Sequence, residues 1–182
     1  YTIAPRDIGI FIPCAVRKPY SESPSHKLFH KLFGEVFPDK SKYHVTIFGT
    51  CGTVPAELEL MYPFAHYHYM LGNVKDQKIK DDFLEIETRR LIGYLEKTKD
   101  TYTHRIAYCI GVFRVEGDSE DYEDIGGGSG TQGDTGINVE IYPTQPVIDK
   151  LYDADCPFPE GSLSMQAYLD EFRSALTEMR DR

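Results

Sequence analysis

A chain of 182 residues with 41% hydrophobic and 13% aromatic side chains can bury one substantial core, which excludes a disordered polymer and suits a single domain spanning 1–182. Its formal net charge of -9 argues against a free-standing grip on nucleic acid through a basic stripe, so much of the positive surface for such a substrate is expected from another domain or subunit. Apolar runs are too short to cross a bilayer and the opening YTIAPRD carries no export signal, so no membrane contact and a cytoplasmic location are expected.

The first strand is predicted at Ile8 to Ile12, where IGIFI lacks polar alternation and suits burial on both faces. PCAVRKPYSESPS is too rich in proline and serine for a regular element, and Ser23 or Ser25 is placed to cap the helix that follows. That helix carries Leu28, Phe29, Leu32, Phe33 and Val36 at helical spacing. A second strand is predicted at Tyr43 to Phe48, a turn at Gly49 to Thr53, and a short helix from Pro55. AHYHYMLG reads as a third strand, and Asp76 to Lys97 as a long amphipathic helix with Ile79, Phe83, Ile86, Leu91 and Leu95 near one face. HRIAYCIG is the fourth strand. The acidic run at 116–124 and the glycine-rich segment to 136 form a long loop, and GINVEIYP turns Ile137, Val139 and Ile141 inward as the fifth strand. TQPVIDKLYDA and Ser164 to Arg180 close the chain as helices, the last with an apolar stripe for packing on the sheet. The alternation predicts a mainly parallel α/β sheet sandwiched by helices, with ligands outside the carboxyl ends of its strands.

Four separated cysteines, Cys14, Cys51, Cys109 and Cys156, form no CxxC pair, so neither a zinc ribbon nor a disulfide framework is expected. Cys109 reads as core. His66 and His68 share a strand face without a third ligand, which suits a polar cleft rather than a metal site, and no cofactor is expected. Gly128, Gly130 and Gly133 match GxGxxG but precede a strand, so the dinucleotide reading lacks its context.

The densest chemistry lies in Pro13 to His26, which gathers a thiol (Cys14), an ammonium (Lys18), a phenol (Tyr20), hydroxyls (Ser21, Ser23) and an imidazole (His26). Pro19 and Pro24 stiffen the turn. Arg17 and Lys18 are expected to favour Cys14 as a thiolate.

PCAVRKPYSESPSH fits the Pro-Cys-x3-Lys-Pro-Tyr-x2-Ser-x2-His signature of the archaeosine synthase family, and GTVPAELELMYPFAHYHY resembles that family's Val-Pro, Glu-Leu-Glu and Tyr-Pro-x-x-His-Tyr stretch. Ala56 stands where members often carry a basic residue. The resemblance implies a uracil-DNA glycosylase-like core and a transferase or ligase acting on tRNA. Its substrate would be 7-cyano-7-deazaguanine in archaeal tRNA, converted towards archaeosine by adding an amine, lysine, to the nitrile. It also implies a separate PUA-containing or radical SAM partner. On that reading Cys14, Lys18 and His26 are the catalytic candidates: Cys14 adds to the nitrile carbon, His26 shuttles a proton and Lys18 holds an anion. Tyr20, Ser21, Ser23, Glu57 and His66 are the substrate-binding candidates. Two alternatives are a non-catalytic module that binds a modified base or nucleotide and a scaffold subunit of a tRNA-modifying complex.

Overall fold

The computed structural model describes residues 1–50, 52–64, 66–67, 74–109, 114–116, 122–124, 137–153 and 164–182. Five strands form the main sheet: β1 (Arg6–Pro13), β2 (Tyr43–Gly49), β3 (Gly52–Pro55), β4 (Tyr102–Tyr108) and β7 (Glu140–Tyr142), in the order β3-β2-β1-β4-β7. All neighbours are parallel except the β2–β3 hairpin. β1 is central because it is apolar on both sides. Ile8, Ile10 and Ile12 enter one core and Phe11 the other. Gly9 sits where a Cβ would lie 2.8 Å from the Tyr102 ring, so only glycine lets that ring lie against the strand.

The first core is covered by α1 (Pro24–Val36), α3 (Gln145–Asp153) and α4 (Gln166–Asp181). Phe33, Phe172 and Tyr108 are packed there with no more than trace exposure. The opposite core holds Phe11, Phe48, Leu91, Leu95 and Tyr102 under α2 (Gln77–Lys97). The expected sandwich is therefore present. Chain order reverses at β1: α1 leads to β2 on one side, whereas β4 lies on the other. Such a reversal leaves a crevice outside the carboxyl ends of the strands.

Several expectations need correction. Gly52–Pro55 is a strand, and only Ala56–Leu58 is helical, as one 3-10 turn. Pairing β2 and β3 back to back satisfies backbone groups that a turn would leave to water. His66 and Tyr67 lie outside any strand, and the rest of AHYHYMLG falls outside the described residues. Leu28 and Ile79 keep their helical phase but stand 41% and 40% exposed, because each sits at the margin of its buried stripe. Two pieces of the acidic region pair as an antiparallel ribbon, β5 (Arg114–Glu116) with β6 (Tyr122–Asp124). Gly128, Gly130 and Gly133, with Cys51, His68 and Cys156, lie outside the described residues. Cys109 is buried, as expected. Among the described residues no helix is long and apolar enough to cross a membrane.

Candidate functional site

The chain leaves β1 at Pro13 and turns beside the end of β2. The Cys14 N–H donates to the Phe48 carbonyl at 2.7 Å, carrying the parallel ladder one residue past the strand. Gly49 makes room for the thiol: a Cβ there would fall 2.3 Å from Cys14 Sγ. Burial pushes the Cys14 thiol above its ordinary value, and a backbone bond from Thr50, the Lys18 charge and a Tyr67 hydrogen bond oppose that rise only in part. The expected thiolate is thus corrected to a thiol, since desolvation outweighs one neighbouring ammonium.

Lys18 Nζ lies 3.9 Å from the centre of the Tyr67 ring and 5.8 Å from that of Tyr20. It also donates to the Val16 carbonyl at 3.2 Å. Tyr20 is fully buried and shares a 3.0 Å hydrogen bond with the Tyr67 hydroxyl. Thiol, ammonium and two phenols therefore meet at one strand end.

His26 stands behind this group. It is 1% exposed, stacked on Tyr20 with ring centres 5.8 Å apart and edged by Phe29. Its Nε2 donates to the Pro13 carbonyl at 2.9 Å. Burial holds the imidazole below its usual range, so it is neutral near pH 7, and Nδ1 has no partner among the described residues. The ring ties α1 to the end of β1 and holds the corner shut. Ser23 is buried too, its Oγ accepting the His26 N–H at 3.2 Å as the helix cap. The backbone N–H of Ser21 donates to Glu59 Oε2 at 3.0 Å.

Glu57 and His66 do not join the corner. Glu57 accepts from His44 Nε2 at 3.1 Å and also from the Tyr1 hydroxyl. His44 lies four residues before Phe48 on β2, about 13 Å along the strand from the Cys14 end. There it continues a relay: His44 Nδ1 to Tyr102 at 2.7 Å, Tyr102 to Tyr94 at 3.1 Å, and Tyr94 to Thr46 at 3.0 Å. The exposed His66 packs beside Tyr62, with ring centres 5.8 Å apart. Tyr67 and Glu59, each one or two residues along from a predicted position, take the corner places instead. Both stand in the stretch already singled out. Strand alternation assumed for His66 hid Tyr67, because neither residue lies in a strand. Among the described residues no group of three or more His, Cys, Asp or Glu could hold a metal ion.

Residues 1–114 match the family model described as a domain of unknown function (DUF5591). The chain is 36% identical over 110 residues to archaeosine synthase subunit alpha of Methanosarcina acetivorans, covering 59% of this chain and 16% of that protein. It is 33% identical over 88 residues to archaeosine synthase of Haloferax volcanii, covering 48% and 14%. Archaeosine synthase subunit alpha of Thermoplasma acidophilum is 29% identical over 111 residues, covering 56% and 21%. The chain thus spans only about a fifth or less of these curated relatives. A crystal structure of a protein of unknown function superposes with a TM-score of 0.46 at 17% identity, covering 94% of this chain and 44% of that one. That likeness is too distant to bear on the site.

Proposed function

The chain belongs to the DUF5591 domain family, and on that premise we propose that it works in archaeosine modification of tRNA, with the Cys14 corner as its reaction site. The observation that carries this reading is the convergence of Cys14, Lys18, Tyr20 and Tyr67 at the carboxyl end of β1. The similarity to proteins named archaeosine synthase supports the substrate class.

The proposed reaction adds lysine across the nitrile of 7-cyano-7-deazaguanine. Cys14 sulfur bonds to the nitrile carbon while its proton passes to the nitrile nitrogen, giving a thioimide. The lysine amine then adds to the same carbon and the Cys14–carbon bond breaks, returning the thiol and leaving an amidine. No oxidant or reductant is consumed. The paired Tyr20 and Tyr67 hydroxyls carry the proton, and Lys18 holds the lysine carboxylate or a phosphate. His26, Ser21 and Ser23 position the turn. Glu59 takes the substrate-binding part expected of Glu57, which is committed to His44 and Tyr1, and receives the amine. We assign His66 no contact with substrate. A uracil-DNA glycosylase-like arrangement, a cytoplasmic setting and a PUA-containing or radical SAM partner complete the proposal.

A second reading rests on the raised Cys14 thiol. In it the thiol stays neutral as a wall of the base pocket and lysine attacks directly. Mass spectrometry of cyano-deazaguanine tRNA incubated with the protein and lysine, with and without a PUA-bearing extract, tests the class. The expected result is a gain equal to one lysine; no gain under either condition overturns the enzyme reading. Cys14→Ala then separates the schemes, because near-normal turnover rules out the covalent one.

A further inference from the structure

A groove of about 490 Å³ runs between edge strand β3 and α2, lined by Gly52, Thr53, Arg90, Gly93, Tyr94 and Lys97. It lies on the α2 face of the sheet, whereas the Cys14 corner packs against the opposite core. Its lining holds two cations and no carboxylate, in a chain of net charge -9. Both cations are exposed and neither is held in an ion pair among the described residues, although Arg90 interacts electrostatically with Glu87 one turn earlier on α2. Arg90, Gly93 and Lys97 fall at i, i+3 and i+7, so one stripe of α2 presents the two charges about 10 Å apart with a gap between them. The gap is open space, since a Cβ at Gly93 would meet nothing within 4 Å. On the facing strand, a Cβ at Gly52 would meet only the Arg90 side chain.

Tyr94 forms the floor. Its hydroxyl is spent inward on Thr46 and Tyr102, and Phe11 meets its ring edge-on at 6.0 Å. What it offers the groove is therefore the ring, held in one orientation. Two spaced cations around a fixed aromatic ring suit a phosphodiester chain with a base between its phosphates. An acidic peptide would use the cations but leave the ring without a partner.

We propose that the β3–α2 groove binds a single-stranded stretch of RNA, with phosphates on Arg90 and Lys97 and a base over Tyr94. This rests on the tRNA reading above and adds where this chain itself grips the substrate. It revises the expectation that positive surface comes from elsewhere: the net charge is acidic, but the lining of this groove carries two cations, with the Glu87 carboxylate beside Arg90 as a counter-charge felt there.

Binding of unmodified tRNA by the whole chain, followed by fluorescence anisotropy across a salt series, tests the groove independently of nitrile chemistry. Arg90→Ala with Lys97→Ala is expected to weaken binding roughly tenfold and to lower the salt slope by about 1.4, two contacts at about 0.7 each. Gly93→Glu, which brings a carboxylate into open space, should weaken it at least as much with an unchanged melting temperature. Lys31→Ala with Lys40→Ala removes the same charge on the other side of the sheet and should leave binding within about twofold. Equal losses in both double variants, or no measurable tRNA binding by the parent chain, overturns the groove. Groove-dependent binding without any lysine gain keeps the groove and sinks the proposed reaction instead.

Discussion

Two polar clusters lie on opposite faces of the same strand pair, and each contains a histidine, a glutamate and a tyrosine. At the amino end, Glu57, His44, Tyr102, Tyr94 and Thr46 hand hydrogen bonds from one to the next. At the carboxyl end, His26 serves the scaffold, while Cys14, Lys18 and the Tyr20–Tyr67 hydroxyl pair keep chemistry in reserve: a thiol, an ammonium resting on a ring rather than on a carboxylate, and two phenols bonded to each other. Residue types alone do not separate these clusters. Commitment of the polar atoms does. A satisfied network holds elements together, whereas a reactive group without a counter-charge is available to a substrate.

That contrast breaks most readily at Cys14. If the corner is the reaction site, Cys14→Ala should cut lysine addition by about a thousandfold or more while urea unfolding is barely changed. His44→Ala should do the reverse. It takes one of two partners from Glu57, which keeps the Tyr1 hydroxyl, and one from Tyr102, which keeps Tyr94, so unfolding free energy should drop by about 1 to 2 kcal/mol with turnover per folded molecule retained. If both variants lose activity alike, the two clusters are not functionally distinct.

Tyr67→Phe sharpens the corner more finely. It keeps the ring beneath Lys18 and removes the hydroxyl shared with Tyr20. Turnover should fall about tenfold, with stability changed by less than about 1 kcal/mol. A normal rate would take the hydroxyl pair out of proton transfer.

The smallest expected effect is on pH dependence, and it involves both clusters. Burial first of all lowers the folded-state values of His26 and His44 below the ordinary 6.5, and the unfolded chain therefore binds the extra protons. Their contribution is complete above about pH 6.5 and is lost as pH falls through the lowered values, at up to about 1.4 kcal/mol per pH unit for each group. Melting temperature should be flat from pH 8 to 7 and decline below 6.5. A flat profile down to pH 5 would mean that neither imidazole is held neutral.

Much was legible in the chain itself. IGIFI announced a strand buried on both faces, the spacing of Phe29, Leu32, Phe33 and Val36 announced the inner face of α1, and the Pro13–His26 segment marked the corner. These are local matters: periodicity, proline stiffness and capping act within a few residues. The tertiary structure alone decided which neighbours of those residues matter. Tyr67 reaches Lys18 and Tyr20 across nearly fifty positions, His44 draws Glu57 away to the other end of the sheet, and burial keeps Cys14 a thiol despite the adjacent cation. Strand register and desolvation are set by the whole packed chain, so no short window of sequence contains them.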